Sequence, residues 1–302
     1  MANFLDNIKG YCGWLSRFSN SVIDAKRTMN SYIMEEHPSL MPQYKKYFSN
    51  PKAIGGVSAT QVFAEILCGL ESFPFHELKK KTSIFVGATG RIGDDLLDEG
   101  KIKPEETFLY LKTKRFDTKN DGQRELFYAF GSKLEKLLPV NFSTKFENIC
   151  YSLNQAQLDS LKLKDKISKE ELLSIKDRTG GYSILMLYSF VFPDFEDISK
   201  NLALSCYNPE KDVIPNTKGE ALFNLGAWLS KFDDLKDIKT DKNDSLKNLA
   251  AEGCTNWKSL HQEINYIFNG LGKFYSKHKT DILKKLVNTI SSYNRILSKI
   301  ID

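Results

Sequence analysis

Apolar residues recur along most of this chain at the three- and four-residue spacing of an amphipathic helix. Alternation of apolar and polar residues, which marks half-buried strands, is scarce, and hairpin turn signals are few. No repeat is evident. The pattern predicts one all-α domain over residues 1–302, a bundle of about ten or more helices. Near the N-terminus the helical spacing joins Phe4, Ile8, Tyr11, Leu15 and Phe18.

Stop and start signals set the expected boundaries of the helices. A helix over residues 76–99 ends at Gly100, with Pro104 beyond it, and another covers 124–138. Ser168 begins a capping box, and its helix is expected to run to about residue 177, where Gly180-Gly181 interrupts it. Further helices are expected at 220–238, 256–277 and 281–301, with a polar loop over 241–245.

Two aspartate clusters lie on predicted helices. They are Asp94-Asp95-Leu96-Leu97-Asp98 and Asp233-Asp234-Leu235-Lys236-Asp237, with Asp241 four residues further on. Residues four apart share a helix face, so the carboxylates of each cluster form a stripe that destabilises the helix unless a cation lies between them. Mg²⁺ prefers oxygen ligands and often shares its shell with substrate phosphates. Two such stripes facing each other would form a site for a phosphorylated substrate.

Composition narrows the classes of function. The 302 residues include 43 basic and 38 acidic ones, a balance that argues against nucleic acid as a partner. The five cysteines are widely spaced with no CxxC pair, so a disulfide framework or zinc site is not expected and a reducing cytoplasm fits. We expect no signal peptide. The N-terminal amphipathic helix could contact a membrane surface, although packing against the core is the commoner outcome.

In these segments the chain resembles the class I isoprenoid synthases, the all-α superfamily of trans-prenyltransferases and terpene synthases. The resemblance rests on the first aspartate cluster and on the segment from Phe232 to Asp241, which keeps the aspartate spacing of trans-prenyltransferases. A weaker match is Lys176-Asp177-Arg178-Thr179-Gly180-Gly181-Tyr182, and the three segments occur in the family's order. The resemblance implies a single large helical bundle around a central active-site cavity. It also makes a homodimer an expectation.

The resemblance implies a Mg²⁺-dependent reaction on a prenyl diphosphate, with three ions held by the aspartates. The implied metal ligands are Asp94, Asp95, Asp98, Asp233, Asp234 and Asp237, with Asp241 as a further candidate. The implied diphosphate-binding residues are Lys176, Arg178, Arg91 and Lys242, together with backbone N–H groups released at Gly180 and Gly181. Aromatic and apolar residues can line a cavity that stabilises a carbocation. The candidates for this lining are Phe85, Tyr182, Met186, Phe223 and Trp228.

Departures from the chain-elongating enzymes bear on the reaction. No arginine pair follows the first cluster, the segment 50–56 lacks an arginine, and Ser230 replaces an expected glutamine. These differences favour a terpene synthase-like enzyme that cyclises or eliminates. A prenyltransferase that joins the cation to isopentenyl diphosphate or another acceptor stays open, with an acceptor site rebuilt from Lys52, Lys101 and Lys103. A non-catalytic subunit that binds prenyl diphosphate is the third alternative, against which the six aspartates argue.

Overall fold

The computed structural model describes residues 2–103, 106, 121–139, 147–160, 167–195, 215–243, 249, 252–285 and 287–288. Side chains are described for these residues except 2–12, 14, 147, 150 and 236–243. Across these ranges the regular structure is helical and no strand occurs, so the predicted all-α class is confirmed.

Nine α-helices have defined bounds within the described residues. They are α1 Ala2–Glu36, α2 Met41–Phe48, α3 Pro51–Glu71, α4 Glu77–Asp98, α5 Gly122–Leu137, α6 Glu147–Ser160, α7 Lys169–Val191, α8 Lys218–Asn243 and α9 Trp257–Leu271. A short 3-10 turn, Pro38–Leu40, precedes α2. Residues 277–285 and 287–288 are also helical, and the rest of the helix predicted over 281–301 lies outside the described residues. The predicted loop at 241–245 is wrong for its first three residues, because α8 continues through Asn243.

The chain divides into two compact units. The N-terminal unit comprises Leu15–Cys150 and Leu187–Asp197. The C-terminal unit comprises Met1–Trp14, Tyr151–Met186 and Ile198–Asp302. Helices α1 and α7 contribute residues to both units. The single domain expected over residues 1–302 stays a prediction.

In the N-terminal unit, α4 packs against α3 and α5. At Gly87 a Cβ atom would lie 2.9 Å from the Cα of Val57, so only glycine permits this approach of α4 to α3. The apolar side of α4, including Phe85, Ile92 and Leu96, is buried. The helix ends in the expected way, because Gly100 adopts a φ of 67° that favours glycine. The polar side of α4 is therefore the side that remains exposed.

In the C-terminal unit, α7 and α8 run antiparallel and meet at glycines. A Cβ on Gly226 would collide with the backbone oxygen of Gly180 and lie 2.9 Å from the Cα of Gly181. Helix α7 is continuous from Lys169 to Val191, so the interruption predicted at Gly180-Gly181 is wrong. Glycine lowers helix propensity by only about 1 kcal/mol, and close packing of two helices can outweigh this cost. The glycines allow α8 to approach rather than breaking α7.

Helix α9 is held to α8 from its first turn. Asn256 caps α9 and forms a capping box with Ser259. The indole N–H of Trp228 donates a hydrogen bond of 3.0 Å to the carbonyl oxygen of Leu260. This bond satisfies a buried polar group and fixes the first turn of α9 against the middle of α8.

One described helix, α3, has the length and apolar composition needed to cross a membrane. Of its 18 most apolar residues, 56% are buried inside the protein, which is also what a core helix shows. Because a single helix of this kind is weak evidence, we draw no membrane span from it. The side chains of residues 2–12, on which the expected membrane contact of the N-terminal helix depends, are outside those described.

Candidate functional site

The first acidic motif, Asp94, Asp95 and Asp98, occupies the last turn of α4. Asp94 and Asp98 are exposed, while Asp95 is half-buried. Acidic side chains near the C-terminal end of a helix meet the negative end of its dipole, which costs about 0.3–1 kcal/mol for each charge. The three acidic side chains are therefore expected to lower the stability of α4.

Asp95 is held by two residues of the same unit. The guanidinium of Arg91 forms an ion pair with it, and the hydroxyl of Tyr47 donates a hydrogen bond of 2.5 Å to its Oδ2. Burial raises the pKa of Tyr47, and the hydrogen bond to Asp95 raises it further. Burial also lowers the pKa of Arg91, but the carboxylates of Asp95 and Asp94 act against burial and the net pKa is raised. Arg91 and Tyr47 are thus a charged donor and a neutral donor to Asp95.

The second acidic motif, Asp233, Asp234 and Asp237, lies within α8. Asp233 is exposed, whereas Asp234 is only 5% exposed. Oδ1 of Asp234 accepts a bond of 3.0 Å from the ammonium of Lys176, and Oδ2 accepts a bond of 2.8 Å from the backbone N–H of Leu249. Asp237, Asp241 and Lys242 lie in α8 as well, but their side chains are outside those described.

In both motifs the second aspartate is paired with a basic residue. Asp95 is paired with Arg91 and Asp234 with Lys176, and each also accepts a further hydrogen bond. The exposed carboxylate positions are the first aspartate of each motif and, in the first motif, the aspartate four residues later. Asp95 and Asp234 differ from the other aspartates in being engaged by protein donors, and their role as metal ligands stays a prediction.

The exposed carboxylates suit a hard divalent cation that takes its other ligands from elsewhere. Mg²⁺ is typically bound by one or two protein carboxylates, with water and substrate phosphates completing six oxygen ligands. Asp94 and Asp98, four residues apart on one helix face, supply such a pair. No group of three or more histidine, cysteine, aspartate or glutamate side chains able to hold a metal occurs among the described residues. A cation at either motif would depend on water or a phosphate.

The basic candidates in the weaker motif are engaged by carboxylates. Lys176 pairs with Asp234, and Arg178 forms an ion pair of 2.7 Å with Asp159 of α6. The guanidinium of Arg178 also donates to the carbonyl oxygen of Ser174 at 3.3 Å. Since α7 is continuous, the backbone N–H groups of Gly180 and Gly181 lie inside a helix and are not released at a break. The prediction that a helix break presents these N–H groups to a diphosphate is wrong.

The apolar cavity candidates are packed side chains. Phe85 belongs to the N-terminal unit, where its ring lies 5.2 Å from that of Tyr32 and 5.9 Å from that of Phe130. The other four belong to the C-terminal unit. There the rings of Tyr182 and Phe223 meet edge to face at 5.2 Å, and Met186 and Trp228 are buried. Their packing accounts for them as core residues, and a role in lining a cavity stays a prediction.

Lys231 is the residue that sequence reasoning missed. It is 2% exposed and lies between two carboxylates, 3.5 Å from Asp177 of α7 and 3.2 Å from Glu263 of α9. Burial raises the pKa of Asp177 to about 6, with Lys231 acting to lower it and Glu263 to raise it. A signal was present, because Lys231 falls three residues after Trp228 and four before Leu235, on the apolar stripe of α8.

Comparison with known proteins adds one weak likeness. No protein family and no curated protein matches the sequence. Among solved structures, the chain is similar to a geranylgeranyl pyrophosphate synthetase from the archaeon Geoglobus acetivorans, with 13% identity and a TM-score of 0.44. The match covers 94% of this chain and 97% of that one. At this level of similarity we transfer no residue role from that protein.

Proposed function

We propose that this protein is a Mg²⁺-dependent enzyme of isoprenoid biosynthesis that ionises an allylic prenyl diphosphate. The observation that carries the proposal is the shared design of the two acidic motifs. Each motif lies on a helix, its second aspartate forms an ion pair with a basic residue, and its first aspartate is exposed. The resemblance of both motifs and their order to class I isoprenoid synthases supports this substrate class.

In this proposal the metal-holding residues are Asp94 and Asp98 on α4, and Asp233 and Asp237 on α8. Bound Mg²⁺ would supply charge neutralisation of the diphosphate as it leaves. Arg91 pairs with Asp95 one turn along the same helix and holds its carboxylate in place, while a contact of Arg91 with the diphosphate stays a prediction. Asp234 of α8 is held in place by the ammonium of Lys176 on α7 and by the backbone N–H of Leu249.

We propose that the resulting allylic cation undergoes terpene synthase-like cyclisation or elimination. The lack of an arginine pair after the first motif, and of an arginine in segment 50–56, favours this outcome over condensation with a second diphosphate. Lys101 lies 2.7 Å from Glu99 and donates a 3.1 Å hydrogen bond to Gln123, and the hydrogen bond to Glu99 raises its pKa. Because both side chains of the Lys101–Glu99 pair are exposed, the pair is weak and Lys101 remains a candidate for an acceptor site, so the products must decide between the two reactions.

The test is turnover of prenyl diphosphates of ten to twenty-five carbons by the purified full-length chain, followed as pyrophosphate release with and without Mg²⁺. We expect release that stops on chelation by EDTA. A hydrocarbon or alcohol formed from one substrate supports cyclisation or elimination, and growth of the chain only with isopentenyl diphosphate supports the prenyltransferase. Release that is unaffected by chelation contradicts the proposal, and no release with any substrate favours a non-catalytic binding subunit.

Two variants and one matched control sharpen this test. Asp94→Asn and Asp233→Asn are each expected to lower the turnover rate at least about a hundredfold, the scale seen when one electrostatic contact to a leaving group is lost. Glu77→Gln, an exposed carboxylate in the first turn of the same helix as Asp94, is expected to leave the rate unchanged. Equal rates for the Asp94 variant and the Glu77 control would refute the assignment of the first motif.

A further inference from the structure

The interface between α7 and α8 contains two charged pairs of opposite polarity. Lys176 and Asp177 are neighbours on α7, and they face Asp234 and Lys231 on α8. The ammonium of Lys176 is 3.0 Å from Asp234, and the ammonium of Lys231 is 3.5 Å from Asp177. Because the helices run antiparallel, the Lys-Asp order on α7 pairs each residue with its opposite charge in the Lys-Asp order on α8. The four charges match in one alignment of the two helices.

A third helix closes the inner pair. Glu263 of α9 lies 3.2 Å from the ammonium of Lys231. The side chains of Lys231, Asp177 and Glu263 are 3%, 3% and 11% exposed. Buried ion pairs of this kind contribute little net stability, because desolvation of the charges offsets their attraction. What they can supply is specificity, since a shifted alignment would bury each charge without its partner.

The neighbouring contact makes such specificity useful. At Gly180 and Gly226 the helices touch backbone to backbone. Side chains of α8 fill the space beside these glycines, because a Cβ on Gly180 would meet Ser230 and one on Gly181 would meet the ring of Phe223. A contact this close leaves little room for a shifted alignment. The charged pairs begin only a few residues away on both helices, so they are well placed to set the alignment of α8 along α7.

We propose that Lys231, held by Asp177 and Glu263, is a positioning residue that fixes α8 along α7 and so fixes Asp233. Lys231 precedes Asp233 by two residues, so its side chain points to the buried side of α8 while Asp233 points to the exposed side. A displacement of α8 at Lys231 is therefore passed to Asp233 through the rigid backbone of the helix. This inference rests on the proposed function of the second motif.

The experiment separates alignment from stability with three full-length variants. Lys231→Met removes the ammonium and leaves two buried carboxylates, so it tests the cluster but also destabilises the fold. The triple variant Lys231→Met, Asp177→Asn, Glu263→Gln removes all three charges, which restores an uncharged core of similar volume. Lys133→Met, which removes an ion pair with Glu36 in the N-terminal unit, is the matched control.

Three quantities are measured for each variant. Urea denaturation gives the stability, calorimetric titration with inorganic pyrophosphate in Mg²⁺ gives a dissociation constant, and hydrogen exchange gives the protection of peptide 228–235 in α8. For the triple variant we expect stability at least equal to that of the wild type, a dissociation constant raised about tenfold or more, and faster exchange in this peptide. The control is expected to match the wild type in binding and in exchange of this peptide.

The binding and exchange results together decide whether Lys231 positions α8. A triple variant that keeps both wild-type affinity for pyrophosphate and wild-type exchange in α8 overturns the inference, because Lys231 would then be only a packed core residue. If the wild type binds no pyrophosphate in Mg²⁺, the proposed function fails while hydrogen exchange still tests the alignment of α8. Faster exchange of this peptide in the triple variant, at an overall stability equal to or above that of the wild type, supports the inference in either case.

Discussion

Replacing Asp177 with asparagine is expected to stabilise the protein at neutral pH, although it removes one partner of an ion pair. Both side-chain oxygens of Asp177 are buried without a hydrogen-bond partner among the described residues, and the nearest cation, Lys231, is 3.5 Å away. Burial raises the pKa of Asp177 from 3.8 to about 6, so the ionised form is disfavoured in the folded state. Asparagine has nearly the same shape and carries no charge to desolvate.

The magnitude follows from the shift in pKa. A change from 3.8 to about 6 is roughly two pK units, and at 1.36 kcal/mol for each unit this amounts to about 3 kcal/mol. Because the folded state binds the proton more tightly, the contribution of Asp177 to stability is fully present below pH 3.8. It is lost as the pH rises through about 6. Asparagine does not ionise, so the free energy of unfolding of the variant does not fall in this way as the pH rises.

The assay is urea denaturation of wild type and Asp177→Asn across the pH range from about 4 to 8, the interval in which the proton is lost. Subtracting the two free energies of unfolding cancels titrations common to both proteins. We expect a difference that is small at the acidic end and grows to about 3 kcal/mol in favour of the variant above pH 7. A variant less stable than wild type at neutral pH, or a difference that does not change with pH, would refute the reasoning.

Two further predictions concern the C-terminal unit, and Gly55→Ala in the N-terminal unit is the control for the second of them. Lys231→Gln is expected to lose about 3–5 kcal/mol at pH 7 by leaving buried carboxylates without their cation. In urea denaturation this loss should shrink below pH 6 as Asp177 takes up its proton, and wild-type stability at pH 7 would contradict it. Gly226→Ala forces a methyl group against the backbone of Gly180 and should cost about 1–3 kcal/mol or more. Gly55→Ala, with nothing within 4 Å, should stabilise α3 by up to about 1 kcal/mol, and equal effects would contradict the packing argument.

The helices could be predicted where local signals decide them. The segment expected at 76–99 is α4, Glu77–Asp98, since an apolar stripe and the glycine at position 100 both act within a few residues. At Gly180-Gly181 the prediction from local signals was wrong, because the helix continues through both residues. Local propensity favours a break there, but the approach of Gly226 from a helix 46 positions later in the chain favours glycine inside an unbroken helix.

The candidate site was predictable only in part. Spacing alone places Asp94 over Asp98, and both are exposed in the structure. No local rule distinguishes Asp95 or Asp234 from the other aspartates. Asp95 is separated from Tyr47 by 48 positions, and Asp234 from Lys176 by 58, so their engagement depends on tertiary packing.

The pairing of the second aspartates bears on how these motifs can exist without a bound cation. Three carboxylates within five residues repel one another, and in α4 they also meet the negative end of the helix. Arg91 and Lys176 each remove one of the three charges from that repulsion within the protein itself. In the first motif the exposed carboxylates lie four residues apart on one helix face, where they repel each other but can both contact one small cation. Folding of each motif and binding of a metal by its exposed aspartates are therefore separable events. They are separable because Asp95 and Asp234 are paired with basic residues of the protein whether or not a metal is bound.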